Sequence, residues 1–482
     1  MRNALLASVA GRKLFRTFAA LPPSLAVALL AACAVGPDYR TPDTEAAPFV
    51  AAQTAGVAEQ PFEAAWWEQF QDPVLDRLIE RALTDDLDLK IALARVEESR
   101  AYLGAARRDR WPGVTAAISR TESKQQQPLF TTDRVETESY AAGLATLWEL
   151  DLFGRVRRGV QAAGAEADAA VSDLRDAQVL IAAEVARNYV ELRGAQKRLA
   201  VARANLGYSQ DTLELTRVRL ELGRGSELDV ASAAARLAAT EATIPPLEAA
   251  EAVAANRLAV LLGERPGALA AELSFREIAP HLTTISVDSP AALLQRRPDI
   301  RAAERELAAA TARIGVAKAD LFPRLTLSGF IGFVAGDANA LGESSSRAWS
   351  LSPVLSWAGL ERGTYAGVRV SEARAQAALA AYELTVLRAL EETENAFVTY
   401  GSHRERLESV VEQATASRTA ADLARVQYRE GALDFLRLLD AERTLLQAED
   451  AVAAAESDLN ASVVLIYKAL GGGWEAAPVP TT

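Results

Sequence analysis

Across 482 residues the sequence has one cysteine, Cys33, one methionine, Met1, and two histidines, His281 and His403. A single thiol excludes disulfides within the chain and thiolate-rich metal sites. There is no HExxH pair, no GxSxG elbow and no phosphate-binding loop, and "GRGSEL" from Gly223 lacks the third glycine of a dinucleotide fingerprint. Neither catalysis nor a metal site is expected. Basic patches are missing too: the net charge of -12 argues against nucleic acid as a partner. Beyond the N-terminal region no apolar run approaches the roughly 20 residues of a membrane-spanning helix, so insertion in lipid would require a closed β-barrel. Proline is absent between 129 and 244 and again between 354 and 477. Both stretches are rich in Ala, Leu, Arg, Glu and Gln, which predicts helices of unusual length. Arg155 to about Leu222 alone would make a rod of roughly 100 Å.

What is there begins with Cys33. Arg2, Arg12, Lys13 and Arg16 precede a mostly apolar stretch, Phe18 to Ala32, interrupted by Pro22 and Pro23. Such a segment reads as a secretory signal and is set aside from the fold. Its end, Leu30-Ala31-Ala32-Cys33, resembles the lipobox of bacterial lipoproteins, which implies a covalent lipid on Cys33 as membrane anchor. The alternative is a free thiol in an ordinary signal peptide.

The remainder repeats itself at an offset of about 210 residues. "GAARRDRWPGVT" from Gly104 falls on "GVAKADLFPRLT" from Gly315; Tyr140, Trp148 and Gly154 fall on Trp349, Trp357 and Gly363; Gly223, Leu228 and Glu241 fall on Gly431, Leu436 and Glu449. Each copy opens with a polar cap and proline, Asp72-Pro73 or Ser289-Pro290. A helical segment then runs to Trp111-Pro112 or Phe322-Pro323, where the residue before proline leaves the helix. Two short strands and long helices complete each copy. The expected organisation is a signal over 1–32, a lipidated segment and linker over 33–72, repeat one over 73–262, a linker over 263–288, repeat two over 289–470 and a tail over 471–482.

The four predicted strands alternate. In "WSLSPVLSW" (349–357) Trp349, Leu351, Leu355 and Trp357 oppose Ser350, Ser352 and Ser356. "RLTLSGFIGF" (324–333) sets Leu325, Leu327, Ile331 and Phe333 against Thr326, Ser328 and Gly332. "YAAGLATLW" (140–148) is similar, and "GVTAAIS" (113–119) is the weakest. Each is about nine or ten residues, the length of a tilted strand crossing a bilayer, and Trp111, Tyr140, Trp148, Phe322, Trp349 and Trp357 bracket them as interfacial rings would. The stretches 120–139 and 335–347 read as exposed hairpin loops. A soluble sheet packed on helices is the alternative. In lipid, four strands cannot close, so copies must complete the barrel; the spacing alone leaves two, three or four open.

These residues together resemble the TolC/OprM-like outer membrane factors, in the lipoprotein branch that serves resistance-nodulation-division efflux systems. The motifs are "CAVGPDYRTP" from Cys33, "WWEQFQDPVLDRLIERAL" from Trp66, "WELDLFGRVRRG" from Trp148, "QRRPDIRAAERELAAATARIGVAKADLFPRLTLSG" from Gln295 and "LLDAERTLLQAE" from Leu438. The resemblance implies an α+β membrane fold: a homotrimer whose four strands per protomer form a 12-stranded β-barrel in outer membrane lipid, continued by a long antiparallel α-helical periplasmic barrel. The linker over 263–288 and the tail would lie at its equator. It implies a passive conduit for drugs or other small molecules, with a periplasmic adaptor protein and an inner-membrane transporter as partners and no cofactor beyond the lipid on Cys33. Hairpin tips at Leu222, Gly223 and Arg224 and at Glu430, Gly431 and Ala432 would touch the adaptor. Leu436 and Asp440, four apart on one helix face, would build a periplasmic gate, with Arg443 near enough to pair with Asp440. Alternatives are a pore-less lipid-anchored scaffold and a conduit for metal ions or protein; the lone methionine disfavours soft-metal traffic.

Overall fold

The computed structural model describes residues 34–43, 48–51, 57–59, 64–126, 134–280, 285–287 and 289–477. Cys33, the residue expected to carry a lipid, lies outside them, as do the expected signal over 1–32 and His281. The chain divides into two compact units. One comprises the segment up to Pro42, Glu97–Ala169 and Ala303–Tyr382; the other comprises Asp43–Val96, Ala170–Ala302 and Glu383–Thr482. In chain order the elements are β1 (Val57–Glu59), α1 (Pro73–Asp85), α2 (Leu87–Arg108), β2 (Gly113–Gln126), β3 (Arg134–Leu150), α3 (Arg155–Glu221), α4 (Glu227–Glu241) and α5 (Ile244–Leu261). There follow β4 (Ile285–Val287), α6 (Pro290–Arg296), α7 (Pro298–Ala319), β5 (Arg324–Ala335), β6 (Arg347–Ser356), α8 (Arg362–Arg429) and α9 (Phe435–Ala469).

Helices α3 and α8 run unbroken for 67 and 68 residues, as the proline-free stretches predict. The single helical segment expected before each strand pair is instead two helices. Asp86 leaves the helical region and its carboxylate accepts the Leu89 amide at 3.0 Å, ending α1 and starting α2. In the second half Arg297 occupies the break, since it precedes Pro298 and is turned out of the helical region.

In the first unit β2, β3, β5 and β6 form one antiparallel sheet in the order β2-β3-β5-β6. Pairings such as Ala116 with Leu144, Leu144 with Ile331 and Ile331 with Trp349 gather most of the large apolar residues on one face, while Leu147, Phe330, Val334 and Val354 fall on the other. The expected strand lengths need correction for β2 and β3, which reach 14 and 17 residues. Residues 120–126 and 134–139 continue the ladder instead of looping. Cross-strand charges support this: Lys124 faces Glu136, and Arg120 reaches diagonally to Glu138, which otherwise faces the like charge of Glu122. Gly143 and Gly332 are partners. A Cβ on Gly332 would lie 2.3 Å from the Ala142 carbonyl oxygen, and the Phe330 ring lies over both glycines.

The second unit holds the main apolar core. Trp66, Trp67 and Phe70 are buried with Leu75, Leu78, Tyr189 and Tyr467, and Trp66 stacks on Tyr467 with centroids 5.2 Å apart. Asp72 caps α1 through the Val74 amide and accepts the Tyr189 hydroxyl at 2.5 Å. The "WWEQFQDP" motif is thus a core plug followed by a helix cap. A short parallel pair, β1 with β4, joins Val57 to Ile285; nothing in the sequence announces it.

The "RRPDIR" motif gathers the end of α9. Arg297 donates to the Ala469 carbonyl at 2.7 Å, to both carboxylate oxygens of Asp299 at 3.0 and 2.7 Å, and to Glu392 at 3.0 Å, while Arg296 donates to the Leu470 carbonyl. Cations there meet the unpaired carbonyls of a helix C-terminus. Asp176 on α3 sits in the same field. Burial first, and then the like charges of Asp299, Asp173 and Glu392 against the pull of Arg297, push its carboxyl up to about 6. Between about pH 4 and pH 6 the unfolded chain ionises this group while the folded one keeps its proton, so its contribution is full in acid and is lost as pH rises through 6. Asp176→Asn is expected to stabilise the protein by about 1 to 2 kcal/mol at pH 8, where the ionised carboxylate is held in a partly buried, acidic setting, and by nearly nothing at pH 4. Equal gains at both pH values in thermal unfolding would remove Asp176 from this role.

Candidate functional site

Four features of the molecule answer the sequence expectations. The first is the apolar face of the sheet. Val114, Ile118, Leu144, Ile331, Trp349, Leu351 and Leu355 are all exposed on it, Trp349 at 79%. An apolar surface of that extent calls for a non-aqueous environment or a partner. The opposite face carries Thr115, Ser119, Thr326, Ser328, Ser350 and Ser352, by the same registers.

The second is the set of rings at the strand ends. Trp111, Trp357 and Phe322 are exposed, and Tyr140 and Trp148 are half-buried. Two of them are fixed by equivalent bonds: Trp148 Nε1 donates to the Arg110 carbonyl at 3.1 Å and Trp357 Nε1 to the Leu321 carbonyl at 2.9 Å. Phe322 stacks on Phe153 at 4.7 Å. Beside them runs the segment that follows Cys33. Arg158, nearly buried, donates to the carbonyls of Val35 and Gly36 at 3.2 Å and pairs with Asp38 at 2.9 Å. The Val35 amide donates to the Phe153 carbonyl, and Tyr39 bonds Glu304. Sequence reasoning missed Arg158, although it sits in the quoted "GRVRRG" motif; its partners are more than a hundred residues away in the chain.

The third is the pair of hairpin tips in the second unit. Leu222, Gly223 and Arg224, and Glu430, Gly431 and Ala432, are all exposed. Both tips close in one manner. Gly223 and Gly431 have φ of 64° and 77°; the Arg224 amide reaches back to the Arg219 carbonyl and the Ala432 amide to the Gln427 carbonyl, both at 2.8 Å. This is the glycine-dependent end of a helix. Ser226 and Asp229 exchange bonds to start α4, and Asp434 caps α9. Arg219, another residue missed, joins the tips: it donates to the Tyr428 carbonyl at 2.6 Å and its guanidinium lies 4.4 Å from the Tyr428 ring centre.

The fourth is the face of α9 carrying Leu436, Asp440 and Arg443. All three are exposed, Leu436 at 61%. Asp440 accepts from Arg443 at 2.5 Å, so the pairing left open by the sequence is made. Behind them Glu442 is buried, accepting from Thr212 and from Arg425 at 3.0 Å; it ties α9 to α3 and α8. Only its place in "LLDAERTLLQAE" could have flagged it. Among the described residues no helix is long and apolar enough to cross a membrane and no cluster could hold a metal ion.

This sheet and these helices are the fold of outer-membrane channels. The OprN outer-membrane channel structure covers 92% of this chain and 100% of its own with a TM-score of 0.88 and 50% identity. The family model described as outer membrane efflux protein matches residues 78–264 and 290–472. Outer membrane protein OprJ of Pseudomonas aeruginosa is 34% identical over 461 residues, 94% of this chain and 95% of that one. The toluene efflux pump outer membrane protein TtgI of Pseudomonas putida is 31% identical over 468 residues, 94% and 98%. The chain belongs to the outer membrane efflux protein family, and it is an outer membrane component of an efflux system.

Proposed function

We propose that three copies of this chain assemble into a passive duct, a 12-stranded barrel in the outer membrane continued by a periplasmic helical tunnel. The observation that carries this reading is the four-stranded sheet whose outer strands, β2 and β6, have no further partner among the described residues and whose one apolar face is exposed. A sheet edge cannot be left open in lipid, so another copy must cover it. Three copies give twelve strands, wide enough for a water-filled bore where eight would be filled by side chains. An internal repeat is supported by the matched bonds of Trp148 and Trp357 and by the matched closures at Gly223 and Gly431. It accommodates the expected organisation into 73–262 and 289–470, with the linker over 263–288 and the tail from 471 at the equator.

In this reading Cys33 carries the lipid, and Arg158 holds the following segment beside the aromatic level. The two tips meet a periplasmic adaptor, and through it an inner-membrane transporter of the resistance-nodulation-division type. Trp111, Tyr140, Trp148, Phe322, Trp349 and Trp357 mark the lipid interface. Leu436 and Asp440 ring the entrance, where clustered carboxylates favour cations, and Arg443 holds the carboxylate in place. TtgI belongs to a toluene efflux pump by name; small organic solutes are the cargo proposed for this chain.

The test combines a heat-sensitive gel shift on outer membranes with planar-bilayer conductance. A heat-labile trimer with small cation-selective currents is expected, and a detergent-stable monomer with no currents would overturn the duct. Asp440→Ala is expected to enlarge the currents and weaken their cation preference. Unchanged currents in that variant would remove Asp440 from the entrance while leaving the duct standing.

A further inference from the structure

The two return helices differ. α9 is continuous, whereas its counterpart is broken between Glu241 and Ile244, where Pro245 and Pro246 follow at once. Proline cannot supply the amide a continuing helix needs. At this break α3, α4, α5 and α9 enclose a cleft of about 520 Å³, within the range of small-molecule sites. Its apolar walls include Val201, Leu247 and Leu446, and its polar lining includes Asn205, Arg236 and Thr240.

Two of these polar groups are unsatisfied. Arg236 Nε is buried with no hydrogen-bond partner, and so is Oδ1 of Asn205, a residue only 4% exposed. The neighbouring charges are already engaged. Arg198 is closed on Asp450 by two bonds of 2.7 and 3.0 Å. Glu442, which faces Arg236 from α9, is held by Thr212 and Arg425, and Arg443 by Asp440. Burial pulls the Arg236 guanidinium below the usual arginine range, yet such a group stays charged at neutral pH. A half-buried cation with one enclosed, open donor gains when an anion meets it, and an orphaned amide oxygen asks for a donor.

We propose that this cleft is a binding site for small aromatic carboxylates. The carboxylate pairs with Arg236, the ring lies against Leu247 and Leu446, and a hydroxyl on the ring donates to Asn205 Oδ1. A planar guanidinium suits a carboxylate better than any other group on this cleft. The site stands apart from conduction: it concerns what the helical unit holds and requires no step in the bore.

Calorimetric titration of the full-length protein, in neutral detergent, with 6-hydroxy-2-naphthoate, whose hydroxyl is too far from its carboxylate to bond it internally, is the test. Saturable binding of one molecule per chain is expected, with Arg236→Gln weakening it by about tenfold or more and Arg236→Lys, which keeps the charge but loses the planar fork, weakening it by less. 2-Naphthol, which lacks the carboxylate, should associate equally with the parent and Arg236→Gln. Absence of saturable binding, or equal affinity in Arg236→Gln, overturns the site. Bilayer currents from the same sample separate the two ideas: normal currents without binding sink the cleft alone, and binding without currents sinks the duct alone.

Discussion

Arg297→Ala is expected to lower the unfolding free energy by about 2 to 3 kcal/mol, below the roughly 3 to 5 kcal/mol of a fully buried pair because Asp299 and Glu392 keep access to solvent. Arg297 is 9% exposed at its side chain and serves Asp299, Glu392 and the Ala469 carbonyl together. Alanine would leave those acceptors facing one another and would open the end of α9. The deficit should be smaller near pH 5 than at pH 8, because Asp176 beside it, whose carboxyl burial pushes up to about 6, holds its proton at the lower pH and no longer calls on the cation. Arg297→Lys restores the charge but cannot reach all partners with one ammonium, so its loss should fall between those of the parent and the alanine variant. Chemical unfolding in detergent at the two pH values measures all three. A deficit under about 1 kcal/mol, the level of an exposed pair, would show that the motif does not hold α9.

The second large effect is expected in the sheet. Gly332→Val should abolish the heat-modifiable assembled form and strip the outer membrane of the protein. Valine needs space where the Ala142 carbonyl oxygen lies 2.3 Å and the Gly143 Cα 2.6 Å from the new Cβ. Backbone cannot yield as a flexible side chain would, so β3 and β5 must part at their centre. Phe330, laid over the two glycines, fills the gap they leave, an arrangement that offsets glycine's weakness in strands. Gly336→Ala is the control, since its Cβ would meet only the Glu138 carbonyl at 3.8 Å. Gel mobility of heated and unheated membranes decides the matter; a Gly332→Val protein that assembles normally would refute the close packing.

Much of this architecture was legible in advance because it depends on local rules. Pro112 and Pro323 end helices wherever they stand, Gly223 and Gly431 reverse them, and the alternation in 324–333 and 349–357 shows one face of a strand. The unforeseen parts are of two kinds, breaks that turn on a single local residue and contacts between residues far apart in the chain. Asp86 and Arg297 break helices that composition alone would continue. The charges of 120–126 and 134–139 look like loop polarity until they are placed opposite each other. Arg158 and Glu442 carry motif positions whose purpose emerges only when Val35, Thr212 and Arg425 come to meet them. For the candidate site, the tip and α9 residues were named from resemblance, and the Asp440–Arg443 pair needed a structure to settle it.

The helical tips hold their shape through main-chain bonds and two glycines, and the side chains of Leu222, Arg224, Glu430 and Ala432 contribute nothing to the reversal itself. Those four positions are therefore free to drift under selection without loss of stability. On the proposed contact with an adaptor, exchanging a few surface groups re-addresses such an end to a new companion and keeps the long rods behind it untouched.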